Sequence, residues 1–144
     1  MVDKTLIFRK LSMLEQYLLE IAEYSGIRTR DYSENWKTQR IIERTLQMMI
    51  EICLDIASHI ISDKKFRVPD SYADMFIILH ENNLVEKPLL DALIKMAKFR
   101  NVIVHHYDKV DPAIVVGILH NNLDDFSRYK DAVVFFLKGH ETEK

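Results

Sequence analysis

Eight consecutive residues, Arg100-Asn101-Val102-Ile103-Val104-His105-His106-Tyr107, set a permanent cation, a carboxamide, two imidazoles and a phenol side by side. Arginine offers planar, always-charged donors that grip two phosphate oxygens at once. Histidine exchanges a proton near neutral pH. That combination suits phosphodiester chemistry on RNA, whose 2′-hydroxyl is a built-in nucleophile, so that a base, an acid and a phosphate clamp suffice without a metal. On a helical wheel of about 100° per residue, Arg100 and Tyr107 stack two turns apart on one line. Asn101 and His105 form an i,i+4 pair on the neighbouring line. Phe99 and Ile103 face the other way, and His106 leans toward that apolar side. Lys95, Lys98 and Lys109 add positive charge against Asp108. One helix presents one Arg–His set, whereas a two-fold dimer pairing this face with itself brings two sets into one cleft. A plainer reading stands beside this one: Arg and His are favoured near any helix C-terminus by the dipole, and Tyr107 is a core residue with a wet tip.

The elements that must position these residues are helical. Residues 4–24 carry Ile7, Leu11, Leu14, Leu18 and Ile21 at alternating spacings of four and three, and Gly26 follows the stop. Residues 27–34 read as polar and irregular. A long second helix, about 34–62, repeats the pattern in Ile42, Leu46, Met49, Cys53, Ile56 and Ile60. It also carries a polar row of Arg44, Glu51, Asp55 and His59. The row is either a solvated face or a seam toward the motif helix; Arg44 is read as solvated, and Glu51, Asp55 and His59 stay open as groups that support the motif from behind. Residues 63–70 form a loop. Asp70 or Ser71 caps a third helix to about residue 82, with Tyr72, Phe76 and Leu79 inward. Pro88 opens a fourth helix running to about Tyr107, and Asp111-Pro112 opens a fifth running to about Leu137, with Val115, Leu119, Phe126, Val133 and Phe136 inward. The polar tail from Gly139 is expected to fray. The expectation is an all-α, antiparallel bundle of about five helices, a single domain over residues 1–144.

Composition agrees with that class and excludes others. Apolar residues make up 48%, too many for a disordered chain, and three Gly with three Pro are too few for a turn-rich β-protein. The formal net charge of −2 is not that of a protein coating nucleic acid, so any RNA contact relies on local charge. Cys53 stands alone, which rules out an internal disulfide and fits a reducing compartment. No apolar run reads as long enough for a bilayer and no signal peptide is visible, so a cytoplasmic protein without membrane contact is expected. No metal and no cofactor are expected: adjacent His105 and His106 point apart on a helix, no ligand cluster has metal spacing, and there is no Gly-rich phosphate loop. His80, His120 and His140 read as surface histidines, and Tyr32 and Trp36 as edge-of-core residues.

The run from Arg100 to Tyr107 matches the R-x4-H-x-Y motif of the HEPN superfamily, and the chain resembles its HepT-like toxins. Asn101 directly after the arginine fits that pattern, as do Ile42-Glu43-Arg44, Leu46-Gln47, Glu51, Asp55-Ile56 and His59-Ile60-Ile61 on the long second helix. The resemblance covers almost the whole chain. It implies a HEPN fold, a homodimer whose motifs meet across a cleft, and a metal-independent RNA endonuclease leaving a 2′,3′-cyclic phosphate. It implies that Arg100 binds the scissile phosphate, that His105 acts as acid or base, and that Asn101 orients His105 or the phosphate. It implies an MNT-type nucleotidyltransferase antitoxin as partner, transferring AMP to Tyr107. The alternative within this frame is a non-catalytic helical subunit that presents nucleotide or substrate to a nucleotidyltransferase.

Overall fold

The computed structural model describes residues 2–142, with side chains through residue 139. Seven α-helices and no strand occur among them: α1 Lys4–Ile21, α2 Thr29–Glu34, α3 Trp36–Asp63, α4 Tyr72–Glu81, α5 Lys87–His105, α6 Pro112–Asn121 and α7 Asp124–Thr142. The all-α bundle is as expected; the helix count is not, and each difference has a local cause.

The stretch 27–34 is not irregular. Residues 29–34 coil into α2, whose Tyr32 is 1% exposed and donates its hydroxyl to Glu43 on α3 at 2.6 Å. One buried anchor on six residues leaves no periodicity to read. Its neighbour Trp36 is not at the edge of the core but 62% exposed. The expected fifth helix is two. Asn122 ends α6 with φ −122° and ψ 2°, and Asp125, buried, accepts from Asn122 Nδ2 at 3.2 Å and from Arg128 Nη1 at 2.6 Å, which ties the break to the start of α7. α7 runs on through Thr142, past the Gly139 from which fraying is expected, and residues 143–144 lie outside the described residues. His140 lies outside the described side chains.

α3 is the axis of the bundle. Ile42, Leu46, Met49, Ile50, Ile52, Cys53, Leu54, Ile56, Ala57, Ile60 and Ile61 are all buried, on more sides than one amphipathic stripe would allow. α1, α2, α4 and α5 pack around it. By length and composition α3 would suffice to cross a bilayer, contrary to the expectation that no such run exists. More than half of its apolar window is buried inside the bundle, so core packing accounts for it. Tyr129 of α7 closes the far side: its ring meets Phe76 edge-on at 5.9 Å and its hydroxyl donates to the Cys53 carbonyl at 2.8 Å.

α3 and α4 stop without glycine. Lys65 at φ 56° and Asn83 at φ 63° take the left-handed turn, and the N–H groups of Phe66 and Leu84 reach back to the carbonyls of Ile61 and Leu79. The loop between α3 and α4 is held by Arg67. Its guanidinium donates to both oxygens of Asp74 at 2.8 Å and to Glu81 at 2.9 and 3.1 Å. Ser71 caps α4 by accepting from the Asp74 N–H at 3.0 Å.

Arg67, and secondly the Asp70 N–H, hold the Asp74 carboxyl down at about 2, and Arg67 also lowers Glu81. Carboxylates depressed in the folded chain stabilise it above their unfolded value near 4, and that contribution disappears as pH falls through the folded value. Urea unfolding followed from about pH 4 down to about pH 2 should therefore lose stability more steeply in the wild type than in Arg67→Met. Parallel pH profiles would show that this network does not hold the loop.

Candidate active site

The start of α4 and the end of α5 enclose an open groove of about 570 Å³. Asp70, Ser71 and Tyr72 form one wall; Asn101, His105 and His106 form the other. Arg100 stands behind it. Its side chain is only 14% exposed, and three groups hold it. Glu51 of α3 accepts from Nε at 3.1 Å and lies 3.0 Å from Nη2, Asn101 accepts from Nη1 at 3.2 Å, and the guanidinium stacks 4.8 Å from the centre of the Tyr72 ring. Gln47, one turn back along α3, donates to Glu51 at 3.2 Å. A permanent cation kept this far from water needs such company, because an unpaired half-buried charge is costly.

The structure thus brings together Arg100, Asn101, His105 and Glu51, and it redistributes the rest. Asp55 points elsewhere, pairing with Lys10 of α1 at 3.1 Å. His59 is part-buried two turns beyond Glu51, and among the described residues no hydrogen bond or ion pair joins it to the motif. Tyr107 does not stack over Arg100. α5 ends at His105; His106 adopts φ −139° and ψ 46°, and residues 107–109 form a 3-10 turn. The wheel therefore does not extend to Tyr107, which is 76% exposed beyond the helix end. The same break turns His106 into the groove instead of toward the core.

Tyr72 is the residue that the sequence misplaces. It reads as inward with Phe76 and Leu79, yet it is 40% exposed and forms the platform under Arg100. Its position on the first turn after the Ser71 cap is the only local signal, and the partner that explains it lies 28 positions away in sequence. Two histidines have structural duties. His80 donates from Nδ1 to the Val85 carbonyl at 2.8 Å and His120 from Nε2 to the Ile27 carbonyl at 2.6 Å. Among the described residues no group of three His, Cys, Asp or Glu stands close enough to hold a metal ion.

An all-α bundle with Arg100, Asn101 and His105 at the C-terminal end of a core helix defines a protein of the HEPN fold class. The chain belongs to the HepT-like ribonuclease family, whose model, described as Ribonuclease HepT-like, matches residues 14–133. It is 31% identical over 128 residues to the mRNA nuclease HepT of Shewanella oneidensis, covering 89% of this chain and 96% of that one. It is 26% identical over 142 residues to the tRNA nuclease HepT of Aphanizomenon flos-aquae, covering 99% and 97%. Among solved structures, the tri-AMPylated Shewanella oneidensis HEPN toxin in complex with MNT antitoxin superposes with a TM-score of 0.82 at 31% identity, covering 92% of this chain and 98% of that one.

The Glu51–Arg100 pair is half-buried, between the weak exposed and the strong buried extremes. A double-mutant cycle of Glu51→Gln and Arg100→Met, read by urea unfolding, should give a coupling of about 1–2 kcal/mol. Tyr72→Leu should cost about 0.5–1 kcal/mol through the lost stacking, with Tyr72→Phe close to wild type. Zero coupling in the cycle would mean that α3 does not hold the arginine.

Proposed function

We propose that this chain is a metal-independent RNA endonuclease, the toxin of a toxin–antitoxin pair, acting in the cytoplasm as a homodimer of one-domain subunits. The observation that carries the reading is that Arg100, oriented by Glu51, Asn101 and Tyr72, stands directly behind the open groove that Asn101, Tyr72 and His105 line. RNA strand cleavage needs a proton removed from a 2′-hydroxyl, a P–O5′ bond broken, and a proton delivered to the departing 5′-oxygen. The products are a 2′,3′-cyclic phosphate and a 5′-hydroxyl. His105 carries one of the proton transfers, and a second copy of the motif across a two-fold axis supplies the other. Arg100 stabilises the charge that grows on the phosphoryl oxygens, a role for which a pre-oriented guanidinium loses little freedom. Asn101, bonded to Arg100, keeps the pair in register.

Control by a nucleotidyltransferase is part of the proposal. The Tyr107 hydroxyl attacks the α-phosphorus of ATP, pyrophosphate leaves, and AMP stays on the phenol. Tyr107 suits an acceptor because it stands clear of the helix end and open to a partner enzyme. The added phosphodiester places a bulky anion next to the Arg100–His105 groove, where it competes with the RNA backbone. The relative with AMP attached and an MNT antitoxin bound supports this reading.

One observation favours a second reading, a non-catalytic subunit presenting nucleotide or substrate: among the described residues nothing hydrogen-bonds the His105 imidazole, which stands exposed. The two readings part in one assay. Purified, unmodified protein in EDTA should cut RNA to 2′,3′-cyclic ends, and His105→Ala or Arg100→Ala should lower the rate roughly 10²- to 10⁴-fold. Intact mass after incubation with ATP and the adjacent nucleotidyltransferase should rise by whole AMP units in wild type and not in Tyr107→Phe. Intact RNA with both wild type and His105→Ala would transfer the case to the second reading.

A further inference from the structure

The first turns of α3 carry cations that neither the groove nor the core uses. Lys37, Arg40, Arg44, Gln47 and Glu51 follow one another at spacings of three and four, which places them on a single line of the helix, opposite the apolar stripe. The line ends at Glu51 and so at Arg100. Lys37, Arg40 and Arg44 are exposed, and among the described residues none has a carboxylate partner. Glu43, about 80° off this line on a wheel, is engaged by the Tyr32 hydroxyl. At the far end stands Trp36, 62% exposed, with Lys37 Nζ 5.7 Å and Arg40 Cζ 5.6 Å from its ring centre. At about 1.5 Å per residue, Lys37 lies roughly 20 Å from Glu51 along the axis.

We propose that Trp36, Lys37, Arg40 and Arg44 form a track for single-stranded RNA that leads along α3 to Arg100. The inference rests on the ribonuclease reading and extends it to where the strand lies outside the groove. Three cations without a carboxylate partner, spaced a turn apart, follow a polyanion, and an exposed indole flanked by two of them gives one base an aromatic surface to stack on. The chain as a whole is acidic at −2, so a row of cations free of carboxylates marks a local site. An acidic protein surface would be served by the cations, but it has no use for an indole left 62% exposed at their end.

Trp36 is the only tryptophan in the chain, so its fluorescence reports on the track directly. The probe is a 2′-O-methyl oligonucleotide of about a dozen nucleotides, which a 2′-hydroxyl mechanism cannot cleave. Binding should quench Trp36, and added salt should reverse the quench. Lys37, Arg40 and Arg44 changed together to Gln should reduce the slope of log affinity against log salt by about two, at roughly 0.7 per phosphate contact on a single strand. Changing the two arginines to Lys should keep the slope. Trp36→Leu, followed by fluorescence anisotropy of a labelled probe, should weaken binding roughly five- to hundredfold with the slope unchanged. A wild-type slope in the triple Gln variant overturns the track. So does a Trp36 signal that responds to protein concentration without RNA, which assigns the patch to a second copy. A signal that responds only to the nucleotidyltransferase overturns it too and assigns the patch to that partner. Binding is read without turnover, so the two claims separate. Quenching without cleavage of ordinary RNA loses the nuclease and keeps the track; cleavage with unaltered binding in the variants loses the track alone.

Discussion

The pairing of Arg100 with Glu51 is the contact on which the groove depends. An arginine cannot shed its charge, so a half-buried one must be matched by a carboxylate, and that carboxylate must be immobile. Glu51 satisfies this because α3 is packed on several sides and cannot rotate or slide without opening the core. Tyr72 closes the arrangement from α4 by stacking under the guanidinium. Three helices therefore meet at one side chain, and the stability of the bundle and the geometry of the groove are linked through it.

The end of α5 matters as much as its body. A helix that continued to Tyr107 would have laid the phenol back over Arg100 and filled the space beside it. Ending at His105 instead frees His106 to line the groove and leaves Tyr107 out in solvent. The same one-residue change of backbone thus keeps the groove open to an extended substrate and makes the phenol reachable from outside. The opposite wall is fixed by a different means: Arg67 binds Asp74 and Glu81, so the loop before α4 is tethered to the helix it introduces. One wall is held by helix packing and the other by a charge network, which gives the two walls different responses to acid.

α3 serves three purposes along its length. Its apolar faces are the core, its middle carries the carboxylate that orients Arg100, and its first turns carry exposed cations around Trp36. A helix of 28 residues is long enough to run from the bundle interior past the groove, so the cation-bearing line and the core-facing stripe are in fixed register with each other.

Much of the fold is legible in the sequence alone. The apolar repeats of Ile7 to Ile21 and of Ile42 to Ile60, the caps at Ser71 and Asp111 and the proline starts at 88 and 112 are local signals, and they located the main helices. The dense run from Arg100 to Tyr107, with Asn101 and His105 paired on one line beside that of Arg100, pointed to the wall of the groove. What failed was whatever a distant partner decides. α2 exists because Tyr32 reaches Glu43, and the break before α7 is held by Asp125. Tyr72 faces outward because Arg100 needs its ring, Asp55 belongs to Lys10, and Trp36 has no core to enter. Periodicity and capping act within a few residues, so the sequence by itself determined the helices and the chemistry on each. Ion pairs, stacking and the choice of a helix end join residues dozens of positions apart, and only the tertiary structure decided which of those side chains share the groove.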